Sequence, residues 1–192
     1  DEECFKRVEG QRRNLVGRTG CGLCGAESLQ QAIPAPRRVS VDLRLTHAAV
    51  QQSLVALNKQ QTLRNITGSV HAAAYCDVEG ELLLVREDVG RHNAVDAIAG
   101  HMWLNRLSGE DKIFYTTGRL TSEMVIKVAL MGIPVLLSRS GATQMGLDIA
   151  KKMGVVLIAR ARGKHFMVYN GHHHIEFDAI PTRLPASQKM NS

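Results

Sequence analysis

Tryptophan occurs once in the 192 residues, aromatic side chains make up 4%, and there are four cysteines and five prolines. So few rings weaken any reader of single-stranded nucleic acid built on base stacking. Four cysteines in a chain this long exclude a secreted disulfide scaffold, which is shorter and far richer in sulfur. The sequence has no run of about 18 apolar residues, so a membrane-spanning helix is excluded. It also has no basic-then-apolar leader at its start. Cytoplasm is the expected compartment. The first residue is Asp1 and not methionine, as a fragment of a longer chain would have it.

What is present is ordinary for a globular domain, with 44% hydrophobic and 22% charged residues. The length suits one domain with a real core of its own. Lys and Arg number 24 against 18 for Asp and Glu, a net charge of +6. A basic balance fits anionic partners, although a merely solvated basic surface explains it equally well until the charges are placed.

Three segments are expected. Residues 1–40 are polar and basic, with glycines at 17, 20, 22 and 25, and read as a mobile lead-in carrying Cys21-Gly22-Leu23-Cys24 on a loop. Residues 41–178 read as an α/β domain, and 179–192 as an irregular tail. Within the domain, Thr46 is a candidate N-cap for a helix from His47 to Lys59. Residues 71–78 and 81–86 read as a hairpin about Glu79-Gly80. The continuously apolar Leu82 to Val85 suggests a strand buried on both faces. Helices and strands then alternate from Arg91 to Arg160, with Gly132 and Gly154 at expected helix ends. That alternation predicts a mostly parallel sheet covered by helices on both faces.

In such sheets ligands bind beyond the carboxyl ends of the strands. The loops expected there are residues 87–92, 117–119, 138–143 and 160–165, and each carries glycine and at least one arginine. Glycine admits close backbone approach and arginine offers a planar fork for phosphate. Taken singly, each loop is a solvated turn. Four on one edge favour a phosphate-bearing ligand. His71 opens a strand near that edge, and His92 stands beside Arg91 at a helix start. Either is a candidate contact or a structural histidine. The run His172-His173-His174 reads as a solvated turn. No pattern of a phosphate-binding P-loop occurs.

Arg18 and the flanking glycines make the Cys21/Cys24 pair look like a mobile, activated thiol couple. A closed zinc site needs a second pair or spaced histidines, so no structural metal is expected. Cys4 and Cys76 read as incidental or packing residues.

Several strings together resemble one family. Residues 17–25 (Gly17-Arg18-Thr19-Gly20-Cys21-Gly22-Leu23-Cys24-Gly25) look like the signature of the formate dehydrogenase accessory sulfurtransferases, the FdhD family. Residues 67–74, 87–94 and 118–124 agree with it, and so does the closing strand and loop through Lys164. The resemblance implies a cytidine-deaminase-like three-layer α/β/α sandwich with a mostly parallel sheet. It implies sulfur taken as persulfide from a cysteine desulfurase and passed to the bis-guanine-dinucleotide molybdenum or tungsten cofactor of formate dehydrogenase. By resemblance, Cys21 bears the persulfide and Cys24 is its companion. Arg160, Ala161, Arg162, Gly163, Lys164 and His165 match the cofactor-binding segment, with His71, Arg91, His92 and Arg119 as neighbours and GDP as a mimic of the bound arm.

A homodimer without membrane or nucleic-acid partners is the implied form. Family members carry a longer amino-terminal part, and residues 158–164 depart from the commoner version containing Gly-Phe. Three rival readings have their own signals. A deaminase-like zinc enzyme requires a His-Glu pair and a downstream Pro-Cys-x-x-Cys, whereas His71 is followed by three alanines. A nucleotide- or RNA-binding module is suggested by charge alone, and a disulfide reductase by the cysteine pair.

Overall fold

Thr46 does begin a helix. Its Oγ1 accepts a hydrogen bond from the Ala49 N–H at 3.0 Å, which satisfies one of the free donors of the first turn of α1 (His47–Gln60). The computed structural model describes residues 38–40 and 42–178. The expected lead-in up to residue 37 and the tail from 179 lie outside the described residues, and with them Cys4, Cys21 and Cys24.

A two-residue strand, β1 (Leu45–Thr46), precedes α1, and a short helix, α2 (Thr62–Thr67), follows it. The hairpin comes next as β2 (His71–Cys76) and β3 (Leu82–Asp88). The alternating region is α3 (Arg91–Leu104), β4 (Ile113–Thr116), α4 (Ser122–Leu130), β5 (Val135–Ser138), α5 (Gln144–Met153) and β6 (Val156–Arg162). β7 (His165–Asn170), a 3-10 turn at His172–His174 and β8 (Ile175–Glu176) close the described chain, with β8 pairing parallel to β1.

The main sheet has the order β3-β2-β4-β5-β6-β7, and it makes three layers. On one face, Val95 and Ile98 of α3, Met124 and Val128 of α4, and Ile149 of α5 pack on Ala73, Phe114, Leu136 and Leu157. On the other, Val50, Leu54 and Leu57 of α1 pack on Ala74, Tyr115, Leu137 and Ile158. Each Val, Leu, Ile, Met or Phe among them, fully buried, contributes about 1.5–3 kcal/mol, and the alanines less.

The sheet is more mixed than the strand–helix alternation suggests. Only β4–β5 and β5–β6 pair parallel. β2–β3, β2–β4 and β6–β7 pair antiparallel. The reason is connection length: crossovers through α4 and α5 give parallel neighbours, while the tight turns after β2 and β6 can only fold the chain back. A second departure concerns β3. Its apolar run lies at the sheet edge and not in the middle, and Leu83 is 50% exposed.

Strand β6 contains a break in its alternation. Leu157 and Ala159 face the three-helix layer and Val156 and Ile158 face α1, as a period of two requires. Ala161 should then face the three helices, yet it packs in the α1 layer. Arg160 between them has φ 53°, in the left-handed region. The pairing with β7 shifts register between Ala159 and Arg162. This is a β-bulge, one extra residue that re-aims everything after it.

Candidate functional site

The register places six chain segments at one edge. Thr116 pairs with Ala73 and with Ser138, and His71 pairs with Asp88. The ends of β3, β4, β5 and β6 and the start of β2 therefore share this edge, and α2 leans over it. Side chains continuing the α1-facing alternation beyond the strand ends, Thr117 after Tyr115 and Arg139 after Leu137, line a cavity of about 490 Å³. His71, Arg64 of α2, Leu54 and Asn58 of α1, and the bulged end Ala161-Arg162-Gly163 complete its wall.

Hydroxyl groups hold the loops of this rim. Ser138 Oγ donates to the Gly118 carbonyl at 2.6 Å and accepts from the Ser140 N–H at 2.9 Å. Ser140 Oγ donates to the Thr117 carbonyl at 2.9 Å, and Thr117 Oγ1 accepts from the Ala72 N–H at 2.9 Å. Arg162 Nε donates to the Arg139 carbonyl at 3.2 Å, and the Arg160 N–H to the Ser140 carbonyl at 2.8 Å. Neutral groups do most of this work; of the guanidinium groups on the wall, only Arg162 gives one N–H to a loop carbonyl, and the rest of its donors face the cavity with Arg64 and Arg139.

Those charges press on one another. Burial lowers the pKa of Arg139, and the guanidinium groups of Arg64 and Arg162 push it the same way. Burial raises the Tyr115 phenol to about 12. His71 is held below its ordinary value by burial and then by Arg91, Arg139 and Arg64. Among the described residues no carboxylate forms an ion pair with Arg64, Arg139 or Arg162; the ion pairs present join Lys112 with Asp111 and Lys127 with Asp96 and Glu123, and the His92 ring lies beside Glu123. A concave site with three unneutralised arginines suits a polyanion.

The expected site residues divide. His71, Ala161, Arg162 and Gly163 line the cavity. Arg91 packs against Gly118, where an added Cβ would come within 2.9 Å of Arg91 Cβ, and its charge reaches His71. His92 turns the other way, with Nε2 at 3.4 Å from Glu123 Oε2 beneath α4. Burial lowers its pKa, with Glu123 opposing and Arg91 and Lys127 assisting. Arg119, Arg160, Lys164 and His165 are exposed and do not line the cavity. Cys21 and Cys24 lie outside the described residues. Cys76 is buried in the α1 layer, and burial pushes its thiol up to about 12, which makes it a packing residue.

Sequence reading missed Arg64 and Tyr115 as parts of the wall, and gave Thr117 and Arg139 only as members of their loops. Among the described residues no group of three His, Cys, Asp or Glu side chains is placed to hold a metal ion. No helix among them is long and apolar enough to cross a membrane.

The model of the FdhD/NarQ family matches residues 1–176. The chain belongs to that family. Among its FdhD/NarQ relatives, the "Sulfur carrier protein FdhD" of Variovorax paradoxus is 39% identical over 165 residues, 86% of this chain and 59% of the relative. The protein of the same name from Agrobacterium fabrum is 40% identical over 167 residues, 84% of this chain and 60% of the relative. A crystal structure described as that of a formate dehydrogenase accessory protein from Desulfotalea psychrophila superposes with a TM-score of 0.68 at 36% identity. It covers 73% of this chain and 60% of the other. The chain thus spans about three fifths of the length of the FdhD proteins it matches.

Proposed function

We propose that this FdhD/NarQ chain carries sulfur to a guanine-dinucleotide-bearing molybdenum or tungsten cofactor destined for formate dehydrogenase. The observation that carries the reading is the cavity where Arg64, Arg139 and Arg162 converge with no carboxylate partner among the described residues. Phosphate diesters of the cofactor's dinucleotide arms are the polyanion proposed for it. The names of the relatives, sulfur carrier proteins, support the cargo.

In this reading the Cys21 thiolate attacks the outer sulfur of a cysteine desulfurase persulfide. The desulfurase cysteine leaves as thiolate, and Cys21 holds the outer sulfur as its own persulfide. Attack of the Cys24 thiolate on the Cys21 sulfur then expels hydrosulfide for the metal. The two cysteines supply the two electrons that reduce the sulfane sulfur and end as a disulfide, which a cellular dithiol resets. Arg18, three residues before Cys21 in the sequence, supplies a charge that favours the thiolate form. The cavity's part is to bind and orient the cofactor.

The test has two arms. Calorimetry should show GDP binding to the 192-residue chain, weakened roughly ten- to a hundredfold by Arg162→Ala or Arg139→Ala, since a charge-assisted contact contributes about 1.5–3 kcal/mol. Mass spectrometry after incubation with a cysteine desulfurase and cysteine should show one added sulfur on wild type and none on Cys21→Ala. Persulfide loading should survive Arg162→Ala. No GDP binding at low salt removes the cofactor site, and equal loading of Cys21→Ala removes Cys21 from the relay.

A further inference from the structure

Among the described residues, His71 is the one imidazole on the cavity wall. Its Nδ1 lies 3.4 Å from Thr117 Oγ1. That hydroxyl already accepts from the Ala72 N–H at 2.9 Å, so its own proton is free to donate to Nδ1. A neutral His71 receiving that bond carries its proton on Nε2, and Nε2 makes no hydrogen bond among the described residues. Protonation is equally well accommodated. Thr117 Oγ1 has two lone pairs, so it can keep the Ala72 bond, rotate its hydrogen away and accept from Nδ1–H. The site supports both charge states of the ring without moving a heavy atom.

The surroundings decide between them. Arg91 of α3, Arg64 of α2 and Arg139 after β5 all press on the ring, and Arg162 at the end of β6 shares the cavity. The facing groups from β4 and α1 are neutral: Thr117, the Tyr115 phenol and Asn58. Asp88, cross-strand from His71, spends Oδ1 on the Gly90 N–H at 2.7 Å and Asn93 Nδ2 at 3.0 Å. Cations therefore dominate while no anion is bound.

We propose that His71 is a proton-coupled anion contact, neutral in the ligand-free cavity and protonated when a phosphate diester settles among Arg64, Arg139 and Arg162. This rests on the proposed cofactor site and adds to it a specified residue and a proton. The anion neutralises the guanidinium field and accepts from Nε2–H, which favours the imidazolium. The proton comes from solvent. Because the bound-state pKa is the higher of the two, binding takes up protons between the two values. Affinity then falls as pH rises through the bound-state value, by up to about tenfold per pH unit for one proton.

The probe is diguanosine 5′,5′-pyrophosphate, whose phosphates are both diesters and do not titrate near neutrality. Calorimetry near pH 6.5, close to the ordinary histidine value, in two buffers of different ionisation enthalpy, measures protons taken up on binding. Wild type should take up a fraction of a proton approaching one, and His71→Gln, which keeps a donor amide, should bind with none. Titration of the His71 ring by NMR in wild type, with and without the probe, gives the same answer if the variant does not fold. The pKa should rise on binding. Binding without proton uptake, an unchanged uptake in His71→Gln or an unmoved ring pKa overturns the role of His71 and leaves the cofactor site standing. No binding of the probe by wild type overturns both.

Discussion

The Glu87 carboxylate holds Arg64 by its backbone and not by its charge. Oε1 accepts from the Arg64 N–H at 3.1 Å, while Oε2 accepts from the Leu63 N–H at 2.8 Å and the Thr62 hydroxyl at 3.3 Å. α2 is six residues long, and its N-cap residue Gln61 makes no side-chain cap bond. A carboxylate from β3 does that work instead, so the helix that presents Arg64 is fastened to the sheet edge.

Glu87→Ala should therefore loosen α2 without touching any ligand. Loss of a helix cap costs about 1 kcal/mol, and the GDP affinity should fall because Arg64 loses its place. Arg64→Ala should weaken GDP binding with little effect on the melting temperature. Thermal unfolding and calorimetry on the two variants separate these effects; equal GDP affinity for Glu87→Ala and wild type would show that α2 needs no fastening.

Arg160 provides a test of the bulge. A non-glycine residue in the left-handed region costs about 1–2 kcal/mol, and glycine relieves it while adding freedom to the unfolded chain. Arg160→Gly should leave stability unchanged or raise it by up to about 1 kcal/mol, whereas Arg160→Val, branched at Cβ, should lower it. Chemical denaturation of both variants measures the difference. A destabilised Arg160→Gly would mean that the guanidinium, and not the backbone, matters there.

Acid should weaken the fold through its shielded histidines. His92, His71 and His174 all have pKa values lowered from 6.5, in each case first by burial. Below 6.5 the unfolded chain therefore binds more protons than the folded one. The stability contributed by the neutral rings is complete above that value and is lost as pH falls through it toward the folded values. Melting temperature should drop between about pH 7.5 and pH 5.5, and His92→Gln should shrink the drop. An equal drop in the variant would assign the effect to other groups.

Cys76 should be chemically silent in the folded chain. With its thiol pushed up to about 12 by burial, it should resist iodoacetamide at mildly alkaline pH and react only in denaturant. Peptide mapping reads the labelled cysteines, and Cys76→Ala should load persulfide as wild type does. Alkylation of Cys76 under native conditions would mean that β2 opens readily.

Much of this fold is legible in local chemistry. Thr46 and Thr143 cap helices through their own hydroxyls, and Gly154 ends α5 at φ 75°; each signal lies within a few residues of the element it bounds. Sheet pairing is not local. Nothing in Leu82 to Val85 says that β3 has a neighbour on one side only. The cavity wall was readable where glycine and arginine occur together, at Arg139 and Arg162. Arg64 gave no signal, because a six-residue helix has no period to detect and its cap comes from Glu87, 23 residues away. His92 misled for a related reason: beside Arg91 in sequence, it points by helical geometry to Glu123 of the neighbouring helix α4, away from the cavity.

The extra residue in β6 sets a rule about backbone shape that differs from any rule about side chains. Ala161 lies on the cavity side with Val156 and Ile158, and not with Leu157 and Ala159, because the left-handed turn at Arg160 adds one residue before it. A substitution at 160 that tolerates that turn leaves Ala161 where it is. Drawing residue 160 into extended backbone without removing it restores plain alternation and swings Ala161 to the three-helix layer, even though every side chain is the native one.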